Sequence, residues 1–360
     1  MTLKIRDAAG FDAVALGEIM LRFDPGPGRI KTARNFDVWE GGGEYNAIRA
    51  LSYVFGQRTA VLSALVDNDI GRLIEGMIRA GGVDASLLDW VQPGADGKVT
   101  RNGLNFVERG FGIRGARGLS DRSHTAASQM TPSAIDLEHV FGSTGVRWFH
   151  TGGIYAGLSE GTRDTAAAAL AAARNHATVT SVDLNYRPSL WPGTEGRRRS
   201  AETFTGLAQA ADVLIGGESD FVDRLSIPAA TKGGDAVQRF TDIAQRTLQR
   251  FPNLKILATT TRTVRSASHN SWQAMCYTHE TGTLVSQNRV DLDILDRVGG
   301  GDGFAAGLIY GLLEGRALQD ALEIGAAHGA LAMTTPGDNS MASLSEVLAA
   351  AQGTGASTTR

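Results

Sequence analysis

The sequence predicts an α/β protein with a mostly parallel central sheet and helices on both of its faces. Three observations carry this. Short β-rich runs alternate with Ala-rich helical runs over most of the chain, the pattern of a sheet whose crossovers are helices. The 360 residues suffice for a large α/β domain, and 42% apolar against 20% charged residues is ordinary for a soluble globular chain. Glycine is the unusual count, at 45, so many positions require a positive φ or a close backbone approach.

In chain order, residues 11–17 read as a first strand, 44–55 as a helix, 59–66 as a strand and 70–80 as a helix. Strands follow at 146–150 and 178–184 around a helix at 159–175, then at 211–215 and 255–260, each preceded by a helix. Three successive helices, 304–313, 317–334 and 344–352, close the chain. Residues 1–352 are expected to form a single domain, and 353–360, small and polar, a frayed tail. Two regions, about 20–40 and 97–128, break the alternation. Both read as hairpins outside the main sheet, either a β-lid over an active site or ordinary surface hairpins.

A formal net charge of −3 argues against nucleic acid or an anionic membrane as partner. The one basic triplet, Arg197-Arg198-Arg199, reads as a solvated helix start. Cys276 stands alone, so no internal disulfide forms and a reducing compartment fits. No apolar leader opens the sequence and no run reaches membrane length, so a cytoplasmic protein is expected.

The strongest chemical signal is Asp296-Arg297-Val298-Gly299-Gly300-Gly301-Asp302-Gly303-Phe304, followed by an apolar helix. Three glycines before a helix let backbone N–H groups converge, and the helix N-terminus adds unpaired donors and its positive dipole end. Together they suit an anion such as a phosphoryl group. Asp302 is then either a helix cap or a general base beside the anion hole, placed to take a proton from an attacking hydroxyl. Gly41-Gly42-Gly43-Glu44-Tyr45-Asn46 is a second glycine-rich turn before a helix. Neither a P-loop signature nor a zinc spacing occurs.

These segments resemble the signatures of the ribokinase-like, or PfkB, family of carbohydrate kinases. Asp296, Gly299, Gly301, Asp302, Phe304 and Gly307 match its Asp-Thr-x-Gly-Ala-Gly-Asp-x-Phe-x-x-Gly element, with Arg297 and Gly300 as departures. Gly42, Gly43 and Asn46 match its Gly-Gly-x-x-x-Asn element, and the likeness runs in order over nearly the whole chain. It implies a three-layer α/β/α ribokinase-like fold with a β-lid, ATP and Mg²⁺ as cofactors, and phosphoryl transfer to a sugar. Asp302 would be the base and the Gly299, Gly300 and Gly301 backbone the anion hole. No dedicated metal ligands are expected, because Mg²⁺ in kinases is held largely by phosphates and waters.

Within that family, Asp183-Leu184-Asn185-Tyr186-Arg187 and Arg101-Asn102-Gly103-Leu104-Asn105 resemble elements of 2-keto-3-deoxygluconate kinases, as does the lid stretch with Arg122. Asn105 and Ser120-Asp121 stand where those enzymes carry tyrosines. The resemblance places Gly42, Gly43, Asn46, Arg122 and Arg187 on the substrate side, with an arginine fork suited to a carboxylate. It places Asn185, Asp220, Arg262 and His328 on the nucleotide side. Asp220 stands for the Glu of an Asn-x-x-Glu motif whose Asn is Gly217, and Arg262 is expected at a strand-end turn. His328 lies among small residues at 321, 325, 326, 329 and 330, a spacing for close helix packing or an adenine-pocket wall. Other sugars as substrates, and a sugar-acid-binding regulator without catalysis, remain alternatives. A lid pairing with a second lid would make a homodimer interface.

Overall fold

The computed structural model describes residues 3–94, 100–229 and 234–354. Most of the expected tail, and Gly97 of the second irregular region, lie outside the described residues. In chain order the elements are β1 (Phe11–Leu16), β2 (Met20–Asp24), β3 (Asp37–Gly41), α1 (Gly43–Tyr53), β4 (Thr59–Val66), α2 (Asp69–Ala80), β5 (Leu88–Val91), β6 (Gly103–Glu108) and β7 (Arg117–Asp121). There follow β8 (Val146–Gly152), α3 (Gly153–Ala156), α4 (Glu160–Asn175), β9 (Val179–Asp183), α5 (Gly193–Ala210), β10 (Val213–Ile215) and α6 (Ala236–Arg250). The last part contains β11 (Ile256–Ser266), β12 (His269–Thr278), β13 (Gly282–Val285), β14 (Arg289–Asp293), α7 (Gly300–Leu313), α8 (Leu318–Ala332) and α9 (Leu344–Ala351).

The main sheet runs β13-β12-β11-β10-β9-β8-β1-β4-β5, with β14 added to β12. Pairing is parallel from β5 to β11 and antiparallel from β11 outward. The strand β4, Thr-Ala-Val-Leu-Ser-Ala-Leu-Val, is buried at every residue, as a parallel strand covered on both faces must be. The pleat sorts its side chains. Ala13 and Ala15 of β1 enter the core under α1, α7 and α8, whereas Val14 and Leu16 enter the core under α4, α5 and α6. This produces the three layers that the alternation predicts.

The two irregular regions form one object instead of two separate hairpins. Strands β3-β2-β6-β7 make a second, four-stranded sheet in which β2 and β6 pair in parallel, Met20 opposite Gly103 and Phe23 opposite Phe106. Phe23 and Phe106 stack at 5.0 Å between centroids and Phe36 packs edge-on to both, which gives this lid a core of its own. The triplet Arg197–Arg199 lies on α5, where Arg198 pairs with Glu195 and Glu202, a solvated helix face as expected.

At the end of the chain α7 and α8 approach closely. Gly303, Gly307 and Gly311 of α7 face Gly329, Gly325 and Ala321 of α8; a Cβ would be tight at Gly303, at 3.2 Å from Ala332, and has no space at Gly307 and Gly311, where it would lie 2.7 and 2.6 Å from α8 backbone atoms. Among the described residues, no helix is long and apolar enough to cross a membrane.

Candidate active site

Helices α2, α4, α6 and α9 are each capped by a side chain, Asn68, Ser159, Asp235 and Ser343. Helix α7, like α1, α5 and α8, is not. Its N-cap is Gly299, at φ 83°, and no side chain caps it. Glycine is required there, because the left-handed φ disfavours other residues and a methyl group would collide with the carbonyl oxygen of Asp338. The first-turn N–H groups of α7 are thereby left for an anion. Asp302 is the third residue of the helix and makes no capping bond, which removes the cap reading of this residue.

The carboxylate of Asp302 instead accepts a 2.7 Å hydrogen bond from the Asn46 side-chain amide. Asn46, in the first turn of α1, also accepts from the Gly42 N–H at 3.1 Å, so the turn before α1 orients the group that orients Asp302. Asp302 lies half-buried on the floor of a cleft of about 680 Å³ between the main sheet and the lid. Desolvation raises its pKa to about 7; the Asn46 bond opposes this, and the charges of Asp338 and Glu44 add to it. Such a carboxyl suits proton transfer near neutrality. Asp183, at the end of β9, is pushed well above the usual carboxylate range by burial, then by Asp302 and Asp220.

Of the residues singled out from the sequence, Gly42, Gly43, Asn46, Arg122, Asn185, Arg187, Asp220, Arg262, Gly299, Gly300, Gly301 and Asp302 all line this cleft. Arg187 is exposed in it and forms no ion pair with a described residue. Arg122 comes from the lid and lies 3.6 Å from the buried carboxylate of Glu18. Asn185 holds a left-handed φ of 36° where the chain leaves β9. Asp220 accepts from the Gly217 N–H at 2.8 Å. Asp121 is paired with Arg101 and lies outside the cleft lining, so its charge does not oppose an anionic substrate.

Two expectations are corrected. Arg262 does not sit at a strand-end turn: β11 continues through it to Ser266, with Arg262 opposite Trp272 of β12. The β-branched run Thr259 to Thr261, followed by Thr263 and Val264, favours this extension. His328 does not line the cleft. Its ring is fully buried, packs edge-on to Phe55 at 5.0 Å and meets the Gly303 carbonyl at 2.7 Å, so it serves the α7–α8 packing. Burial pushes its pKa down to about 4, which keeps it neutral.

The structure also adds residues. Arg297, read from sequence as a departure, lines the cleft exposed and without an ion pair to a described residue, close enough to Arg262 for their charges to interact. Its place just before the three glycines was the available signal. Asp338 also lines the cleft and has no sequence motif around it.

The model of the family described as pfkB family carbohydrate kinase matches residues 11–344. The chain belongs to the pfkB family of carbohydrate kinases. Among solved relatives of this pfkB-family chain is the 2-dehydro-3-deoxygluconokinase of Thermotoga maritima, 31% identical, with a TM-score of 0.86 over 94% of this chain and 98% of that one. A 2-dehydro-3-deoxygalactonokinase from Haloferax volcanii is 29% identical over 337 residues, 93% of this chain and 95% of the relative. An E. coli protein of the ribokinase II type, solved with ATP and Mg²⁺, shares the fold at 16% identity and a TM-score of 0.74, covering 95% of this chain and 99% of that one. The fold of this pfkB-family kinase is therefore ribokinase-like, with the small sheet as its lid.

Proposed function

We propose that this kinase phosphorylates a hydroxyl of a 2-keto-3-deoxy sugar acid, with 2-keto-3-deoxygluconate converted to its 6-phosphate. The observation that carries this is the pairing, in one cleft, of Asp302 beside an uncapped helix N-terminus with Arg187, an exposed cation that feels the charges of Asp183, Asp220 and Asp302 but is in direct ion-pair contact with no described carboxylate. A neutral sugar needs hydroxyl partners but no fixed cation; a carboxylate is matched by an arginine fork. The names of the Thermotoga and Haloferax relatives support the same substrate class, and the Haloferax name supports the 4-epimer as the second reading.

Asp302 accepts the proton of the attacking hydroxyl as the new O–P bond forms and the bond from phosphorus to the bridging oxygen breaks. The first-turn N–H groups of α7 receive the charge of the transferring phosphoryl group. Arg262 and Arg297 hold the phosphates of ATP, which supplies that group. Asp220, an oxygen donor oriented by Gly217, would help to hold a hydrated Mg²⁺, which would supply charge neutralisation at the phosphates. Arg187 and the lid's Arg122 orient the sugar acid, and the lid excludes water.

The test is kcat/KM across 2-keto-3-deoxygluconate, its 4-epimer, ribose, fructose and gluconate. The keto-deoxy acids are expected to lead. Arg187→Ala should raise KM for the acid at least ~10-fold, since a charge-assisted bond contributes roughly 1.5–3 kcal/mol, and should change KM for ATP far less. A tenfold preference for ribose or fructose would end the sugar-acid assignment.

A further inference from the structure

The lid strand β2 carries an arginine that is fully buried. Arg22 donates to Asp338 at 2.6 Å, to Asp24 at 3.2 Å and to Asp296. Arg109 shares Asp24, with its Nε at 3.1 Å. Two of these carboxylates belong to the segments that build the anion hole. Asp296 opens the glycine loop and accepts from the Val298 N–H at 3.2 Å. Asp338 lies with its carbonyl against Gly299 and also lines the cleft that holds Asp302. A buried ion pair is not in itself an efficient stabiliser, because desolvation offsets the attraction. Stability alone therefore does not account for a cluster that joins three distant segments.

We propose that the Arg22–Asp338 pair is a positioning device for phosphoryl transfer: Arg22, reaching in from the lid, fixes the loop under the anion hole and holds the Asp338 carboxylate in the cleft alongside Asp302. The proposal rests on the reading of Asp302 as that base. The groups facing Asp302 are Asn46 and Glu44 from α1, Asp183 and Arg187 from the end of β9, and Asp338 from the segment before α9. The carboxylates of Asp338 and Glu44 both raise the pKa of Asp302, and Asp183 shares a mutual repulsion with it. Arg22 holds the Asp338 charge against the lid, so its distance from Asp302 is fixed by the lid as well as by its own loop.

The experiment measures kcat/KM against pH for wild type, Asp338→Asn and Arg22→Lys with the turnover substrate. Asp338→Asn keeps an acceptor for Arg22 and removes the charge beside Asp302. Its acid limb should move down by roughly half to one pH unit. Arg22→Lys keeps the charge and loses the fork; its limb should stay while kcat falls about tenfold with little change in sugar KM. An acid limb unmoved in Asp338→Asn, whatever happens to the plateau, overturns the proposal. A melting comparison reads the same titration without turnover. The stability change made by Asp302→Asn depends on pH, and the midpoint of that dependence should drop when both proteins also carry Asp338→Asn; an unmoved midpoint again overturns the proposal. If Asp302→Asn turns over near the wild-type rate, the base reading itself has failed and the proposal falls with it; an unmoved limb with Asp302 essential overturns the proposal alone.

Discussion

Replacing Asp302 by an asparagine should cost activity and add stability in the same molecule. The amide keeps the volume and can still accept the Asn46 bond, but it cannot take a proton; kcat should fall roughly 10²–10⁴-fold. The stability change follows from the raised pKa, about 7 in place of 3.8. That difference corresponds to roughly 4 kcal/mol of preference for the protonated form. Solvent on the cleft side screens part of it, so about 1–3 kcal/mol is expected. Below pH 3.8 a carboxyl raised in this way is protonated in both folded and unfolded states and contributes nothing. Between about pH 4 and 7 the unfolded chain loses a proton that the folded protein retains, so wild-type stability falls as pH rises, and above 7 the penalty is constant. The Asp302→Asn variant carries no such penalty. Denaturant melts of both proteins at pH 5 and pH 8 should therefore show a variant more stable than wild type, with the larger gap at pH 8. A variant that is less stable at pH 8 and retains near wild-type turnover would refute the reasoning and leave Asp302 a structural residue.

Three further perturbations test the surroundings of this carboxylate. Gly217→Asn should lower the Mg²⁺ concentration for half-maximal rate: the position lies outside the left-handed region and a Cβ would sit 3.5 Å from the Asp220 carboxylate, an ordinary contact, so a folded variant with an unchanged or higher requirement counts against the role given to this turn. Gly299→Ala combines a left-handed φ of 83° with a collision at Asp338; a stability loss of about 1–3 kcal/mol and a fall in kcat of at least ~10²-fold are expected in melts and turnover assays. Arg297→Thr should raise KM for ATP about tenfold and leave sugar KM nearly unchanged, since it removes one charge-assisted contact to phosphate.

The glycine loop that opens α7 in the cleft was legible in the sequence because its signal is local. Three glycines, an aspartate and an apolar helix within a dozen residues specify backbone donors and a carboxylate together. Asn46, Arg187 and Asn185 were legible for the same reason, each lying beside a turn at the end of a strand. The parallel pairing of β2 with β6 was not, because it joins segments about eighty residues apart and neither carries a signal for the other. Arg22 and Asp338 are 316 positions apart, and a lone arginine on a lid strand reads as a surface charge until the fold buries it. His328 shows the limit of periodicity: small residues around it announce a close helix contact, but not whether the imidazole points along that contact or out toward a ligand.

The glycine stripe between α7 and α8 has a consequence for engineering this enzyme. Gly→Ala in a helix interior ordinarily gains close to 1 kcal/mol of helix propensity and is among the first substitutions tried for heat tolerance. At Gly307 and Gly311 that route is closed, because a methyl group would meet α8 backbone atoms below 3.0 Å and wedge the helices apart. Since α7 begins at the anion hole proposed above, a wedge several residues away would tilt the donors at its tip, and a displacement on the order of 1 Å there is enough to cost about a hundredfold in rate. Thermal hardening of this protein should therefore begin at exposed helical glycines with open space around them, such as Gly76 and Gly206, and leave the stripe untouched.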